Sequence, residues 1–175
     1  MKLSSSAQVV APLERDTFHY VTAPLTPVAT ATDVLTLSGS ASRRVVRVLG
    51  VKVTGLATAA SAYRVNFIKR LAANTDGTST NPTPGKANSA SSDATATLTL
   101  YTANPSALGS GSTLASDLLW LPAAATPTAP PGFVMFDDPI VLRGTSELLA
   151  VNFGGAAVPS GTSISIEIMW SEDGE

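Results

Sequence analysis

Apolar and polar positions alternate most regularly over residues 163–170, where Ile164, Ile166, Ile168 and Trp170 interleave with Ser163, Ser165, Glu167 and Met169. A period of two puts the isoleucines and the tryptophan on one face of an extended segment, which predicts a half-buried β-strand. Residues 95–101 repeat the pattern, with Ala96, Leu98 and Leu100 set against Thr95, Thr97 and Thr99. Threonine is branched at Cβ and fits an exposed sheet face. Residues 43–54 are richer in valine and alternate less regularly, predicting a long strand that is either covered on both faces or bent at Gly50. Weaker strands are predicted at 30–37, 62–71, 113–121, 132–136, 140–142 and 147–153. Turn signals separate them: Gly39, Gly55, the stretch 74–88, Gly109 with Gly111, Asp138 with Pro139, Gly154 with Gly155, and Gly161.

Many short strands with such punctuation predict an all-β fold. The expected architecture is a jelly-roll-like antiparallel β-sandwich of about eight strands over residues 30–175. The Cys and Trp spacing of the immunoglobulin type is absent. Residues 1–29 follow neither period, and Pro12, Pro24 and Pro27 punctuate them, so they are expected to form an extended N-terminal arm. The arm carries Val9, Val10, Leu13, Phe18 and Tyr20, more apolar side chains than a solvated tail needs, and these are candidates for contact with a neighbouring subunit or an underlying shell. Trp120, in the run DLLWLP, is expected either in the core or at an interface, and it is a further candidate contact because aromatics at strand ends often anchor oligomers. Trp170 shares a face with three isoleucines and is expected in the core. Two long connections stand out: residues 72–93, polar and expected to be a mobile surface loop, and residues 122–131, whose prolines favour an extended course.

Composition narrows the chemistry. Ala, Ser and Thr supply 26, 20 and 21 of the 175 residues, while charged residues are only 14% and net charge is -2. That leaves a neutral surface without the basic face that a nucleic-acid binder needs to displace counterions. There are no cysteines and a single histidine, His19. Thiol catalysis, disulfides, thiolate metal sites and sites needing two imidazoles are therefore excluded. No apolar run of membrane-spanning length occurs, and the start lacks the apolar core of a secretory signal.

Candidate catalytic groups fare poorly. Asp137 and Asp138 are neighbours, so on a strand they point to opposite faces and form no carboxylate pair. Asp76 before Gly77 predicts a tight turn, without the spaced oxygen ligands of a calcium loop. A serine triad would need His19, which falls in the arm. Arg43, Arg44 and Arg47 are the densest basic group, but Arg44 and Arg47 fall on opposite strand faces and are expected to guard a strand end against aggregation. No catalytic, cofactor-binding or metal site is expected.

The final stretch IVLRGTSELLAVNFGGAAVPSGTSISIEIMWSEDGE, together with the earlier TATLTLYTAN, resembles small β-sandwich proteins encoded among the structural genes of tailed bacteriophages. The resemblance rests on the run from Leu142 through Gly144 and Leu149 to Asn152, and on the last strand ending at Trp170 before acidic Glu172 and Asp173. It implies a non-enzymatic virion protein, a capsid decoration or cement protein, forming a homotrimer on the outer surface of the phage head. Its implied partners are the major capsid protein and its own copies, with no nucleic acid, no membrane and no cofactor. The family also includes tail-associated members, so a tail or head-fibre module binding a host receptor or glycan is the alternative. A carbohydrate-active enzyme or a host protein is a third reading.

Overall fold

The computed structural model describes residues 15–42, 44–125 and 134–173. Within them lie eleven strands: β1 (Arg15–Val21), β2 (Thr32–Ser38), β3 (Val46–Leu56), β4 (Ser61–Arg70), β5 (Thr78–Thr80), β6 (Gly85–Lys86), β7 (Leu98–Ala103), β8 (Gly111–Leu121), β9 (Val134–Leu142), β10 (Leu148–Phe153) and β11 (Ser163–Asp173). They form a five-stranded sheet in the order β6-β1-β11-β3-β9 and a six-stranded sheet in the order β5-β7-β2-β10-β4-β8. Every pairing between these strands is antiparallel.

Three of the strands, β5, β6 and β7, belong to one insertion between β4 and β8. The remaining eight pair first with last and inward in turn: β1 with β11, β2 with β10, β3 with β9, β4 with β8. That is one long hairpin. Rolling it over brings β11 beside β3 and β10 beside β4 and sends successive pairs to opposite sheets, which is the jelly-roll arrangement. The two inner faces close on a single core. Phe18, Val46, Val48, Val51, Ile164, Ile166, Ile168 and Trp170 come from one sheet, and Leu35, Leu37, Tyr63, Val65, Phe67, Leu149, Val151 and Phe153 from the other. Phe18 stacks on Trp170 with ring centroids 5.6 Å apart, and Tyr63 meets Phe153 edge to face at the same separation.

Irregularities in the ladders account for the irregular sequence of β3. Val48 faces Trp170 while Gly50 faces Met169, so Leu49 is an extra residue. This bulge resets the alternation and lets Val46 and Val48 before it, and Val51 after it, all face the core. A second bulge, at Val34, lies opposite Val151 and Asn152. Without it Asp33 would share the inward face of Leu35 and Leu37. With it Asp33 stands opposite Asn152 and turns away from the apolar core.

Two expectations need correction. Residues 15–21 are not part of an arm; they form β1, paired between β11 and β6, so the sandwich starts well before residue 30. Only Phe18 and Tyr20 carry its inward face, too short a repeat to stand out between polar neighbours. Residues 72–93 are not a free loop either, since they supply β5 and β6 and pair with β7 and β1. Threonine, serine, asparagine and proline hide these strands, which are two or three residues long. The tight turn predicted at Asp76 is present: Asp76 and Gly77 both have positive φ, 56° and 86°, as in a type I′ turn.

Candidate functional site

Most of the polar chemistry of this chain is directed inward and consumed there. Asp33, fully buried, accepts from Nε and Nη2 of Arg70 at 2.9 and 2.7 Å, from Asn74 at 3.0 Å and from Asn152 at 2.8 Å. Arg70 also donates to the carbonyl of Gly109 at 2.8 Å, and the Gly109 N–H donates to Asn74 at 3.0 Å. A Cβ on Gly109 would lie 1.9 Å from the carbonyl oxygen of Ala72, so only glycine permits this approach. The bidentate pair therefore clips both ends of the insertion to β2 and β10. A buried pair with its remaining hydrogen-bonding capacity satisfied in this way is structural.

Glu172, also fully buried, performs the same task at the other sheet. Its carboxylate accepts from the backbone N–H groups of Thr95 and Ala96, the Thr95 hydroxyl and the indole N–H of Trp170. These donors fill its lone pairs without an opposing cation. Neither acidic group is free to act on a substrate.

Several surface charges are paired. Asp173 lies 3.1 Å from both Arg15 and Arg47, Asp16 lies 3.4 Å from Arg44, and Lys69 lies 3.1 Å from Glu147. The basic cluster expected to guard a strand end is thus drawn into ion pairs through Arg44 and Arg47; Arg43 is outside the described residues. Burial pushes the Glu147 carboxyl up, but the N–H of Arg143 and the Lys69 ammonium outweigh it and hold the group below its usual 4.5. Asp137 and Asp138 are exposed on β9. His19 is exposed beside Gly85. Among the described residues, no group of three or more His, Cys, Asp or Glu side chains is arranged to hold a metal ion. No helix there is long and apolar enough to cross a membrane.

Two clefts open on the insertion side. One of about 400 Å³ lies between residues 81–98 and Phe18, and its charged groups, Lys86 and Asp93, are spent on each other at 2.7 Å. The other, of about 270 Å³, is of mixed character, with Leu25, Val28, Val34 and Phe153 beside Thr26, Thr102 and Asn104.

The candidate contact residues separate into three groups. Phe18 is fully buried within the chain, so its own core occupies it, contrary to the expectation of an intermolecular contact. Tyr20 is half-buried and packs against the same core. Val9, Val10 and Leu13 lie outside the described residues. Trp120 alone stands out on the surface, 55% exposed on β8.

Trp120 does not stand alone there. Leu118 is 59% exposed and Leu114 47%, so one strand carries three of the large apolar side chains left in solvent. Their direction follows from pairing: Leu119 and Leu121 match the inward positions of β4, while Leu118 and Trp120 sit opposite Arg64 and Ala62 on the outer face. Leu114 is the extra residue of a bulge opposite Phe67 and Ile68. Leu114 and Leu118 were not anticipated from the sequence. The signal was available in Leu118-Leu119-Trp120-Leu121, which is apolar on both faces and needs a cover on each.

Among the described residues β8 is also an outermost strand, bonded to β4 alone. No strand of the described residues pairs with its outer edge, although the Leu118 N–H there donates to the Asp117 carboxylate at 2.7 Å. This strand combines an outermost position in its sheet with a stripe of exposed apolar side chains. A scan of protein-family models, a search of curated proteins and a search of solved structures each return no match to this chain.

Proposed function

We propose that this chain is a non-enzymatic structural protein of a phage virion, a capsid decoration or cement protein that attaches in many copies to the outer surface of the head and stabilises the shell. The observation that carries the reading is the division of labour in the surface. The buried acidic groups are satisfied internally and several surface charges are paired with one another, while β8 carries an exposed apolar stripe on an outermost strand of the described residues. The resemblance of residues 140–175 to phage β-sandwich proteins supplies the setting, and the major capsid protein is the partner it implies. Binding of this kind acts by linkage: a protein that binds the assembled shell and not its dissociated parts adds its binding free energy to the shell's stability. Repeated weak contacts on an array reinforce one another through effective concentration.

The test is a particle lacking the protein. Such particles are expected to assemble but to release DNA at a lower temperature, and re-adding the protein should restore the transition. Moderate salt should weaken attachment little, because apolar burial and backbone pairing are not screened as charge contacts are. The exposed indole of Trp120 also favours a second reading, a tail or fibre module whose aromatic stacks on a host glycan. Particles that lack the protein, keep their heat resistance and fail to adsorb to cells would establish that alternative and end the cement reading.

A further inference from the structure

Among the described residues Asp76 is the one non-glycine residue with positive φ, at 56°, and Gly77 after it is also left-handed, at 86°. The turn they make demands both residue types. Aspartate tolerates the left-handed region better than most side chains, and a Cβ on Gly77 would lie 2.9 Å from the carbonyl oxygen of Ala103 and 3.0 Å from the backbone nitrogen of Pro105. Asp76 is exposed. An aspartyl carboxyl followed by an unhindered glycine nitrogen is also the arrangement in which a peptide chain most readily reacts with itself, so the turn builds a chemical liability into the insertion.

The reaction is an isomerisation. The Gly77 nitrogen attacks Cγ of the Asp76 carboxyl in its acid form; an N–Cγ bond forms, the carboxyl OH and the N–H proton leave as water, and a five-membered succinimide remains. Water then adds to one of the two ring carbonyls. Cleavage of the N–Cγ bond restores aspartate, whereas cleavage between the nitrogen and the Asp76 backbone carbonyl carbon leaves the chain running through Cγ, one carbon longer, with a carboxylate on Cα. Water is the only co-reactant.

We propose that Asp76 is a latent site of isoaspartate formation, silent while the insertion is docked and reactive when the base of the insertion opens. Ring closure requires the Gly77 nitrogen to swing round beside Cβ. With ψ of about +30°, as at the first central position of a type I′ turn, that nitrogen lies nearly opposite Cβ across the Cα–C bond. Both arms of the turn oppose the rotation. Before it, the Thr75 N–H donates to the Ala107 carbonyl at 2.9 Å and the Thr75 carbonyl accepts from the Ser106 N–H at 3.0 Å. After it, Thr78 pairs with Ala103. The carboxyl itself is tethered, since the Ser106 hydroxyl donates to Oδ2 of Asp76 at 2.8 Å. Asn74 bridges Asp33 and the Gly109 N–H, both at 3.0 Å, so the buried anchor of the insertion also braces the turn.

Reactivity then follows the fraction of time the turn is open, as for any reaction confined to a locally unfolded state. The consequence persists. A backbone one carbon longer does not fit a two-residue turn whose arms are paired at Thr75 and Thr78, so a chain that has isomerised keeps its insertion loosened. The proposal does not depend on the capsid reading.

Trypsin cutting after Arg70 and Lys86 releases residues 71–86 as one peptide, whose aspartyl and isoaspartyl forms have equal mass and separate by chromatography. The full chain and a synthetic 71–86 peptide are incubated together in warm, mildly acidic buffer and sampled over time. The free peptide should accumulate isoaspartate at least about tenfold faster than the folded chain. Ser106→Ala, which removes the tether and keeps the backbone pairing, should raise the rate in the chain by about two- to tenfold, the population equivalent of one lost hydrogen bond. Equal rates in chain and peptide, or a Ser106→Ala chain no faster than wild type, would overturn the proposal. A further measurement needs no variant. Isomerised chains separated from aged wild type should be cut by protease within residues 71–110 under conditions that leave unmodified chains intact, and equal resistance of the two populations would also overturn it. Heat resistance of particles reads the capsid role separately, so either reading can fail while the other stands.

Discussion

The two lateral sides of this sandwich are finished by opposite means. On one, the insertion lays β6 beside β1 and β7 with β5 beside β2, so the outermost strands are two and three residues long. Strands that short offer little ladder to a stranger. On the other side the sheets end in β8 and β9, 11 and nine residues long. Covering the first side requires buried polar anchors, since a polar loop lying on a sheet must satisfy the backbone groups it covers. Asp33 with Arg70, and Glu172 with the Thr95–Ala96 backbone, are those anchors. Among the described residues the open side has no counterpart to them. Its sheets are tied by Lys69, which reaches from β4 to the Val141 carbonyl at 2.9 Å and to Glu147, with both side chains of the ion pair over a quarter exposed. The fold thus seals one flank with buried charge and leaves an apolar strand exposed on the other.

The contrast is most severely tested at Asp33. Removing one member of a buried, hydrogen-bonded pair leaves the other charge without compensation, which typically costs about 3–5 kcal/mol. Asp33→Ala should lose roughly that amount in urea unfolding and should expose residues 71–110 to protease before the rest of the domain opens. A loss below about 1 kcal/mol, within the range of ordinary surface pairs, would mean that the insertion side is not held by this anchor.

The sequence made the sandwich legible through β11, where Ile164, Ile166, Ile168 and Trp170 alternate without interruption and all are buried. It was also legible through β4, β8 and β10, found within a few residues of their bounds. What it concealed has physical causes. β1 shows only Phe18 and Tyr20 on its inward face, so it read as part of an arm. β5 and β6 are held by backbone ladders to strands distant in sequence, and ladder bonds leave no mark on side-chain type. Asp33 looked like an ordinary polar residue at a strand start; its burial depends on the bulge at Val34 and on partners 37, 41 and 119 residues away. Of the exposed stripe, Trp120 was legible only as a residue either buried or at an interface, whereas Leu114 and Leu118 became significant only once β8 proved to be an outermost strand.

A smaller effect distinguishes the tie on the open side from those on the sealed side. The Glu147 carboxyl is held below its unfolded value near 4.5, with the Arg143 N–H and Lys69 opposing the upward push of burial. A carboxyl with a lowered folded-state pKa contributes stability in full above its unfolded pKa and loses it as pH falls through the folded one. Stability should therefore decline below about pH 4.5, and in Glu147→Gln that decline should be shallower. Because both partners are partly solvated, the difference should stay within about 1 kcal/mol and shrink in high salt. An acid transition unchanged by Glu147→Gln would remove this group from the account of the open side.

The smallest expected effect is the most pointed, because it requires an apolar side chain to matter hardly at all to folding. Leu118 is 59% exposed on the outer face of β8, beside Arg64 and away from the core that receives Leu119 and Leu121. Leu118→Ser removes little burial in the monomer and lowers strand preference slightly, so its cost should lie within about 0.5 kcal/mol, as for surface substitutions that disturb no packing. The measurement has to be made at protein concentrations below any self-association, since binding to the folded state adds to apparent stability by mass action. In dilute protein the two should unfold together. A cost of about 2 kcal/mol or more in the dilute protein would be the signature of a buried leucine. It would mean that β8 is already covered within its own chain, and the distinction between a sealed and an open flank would fail.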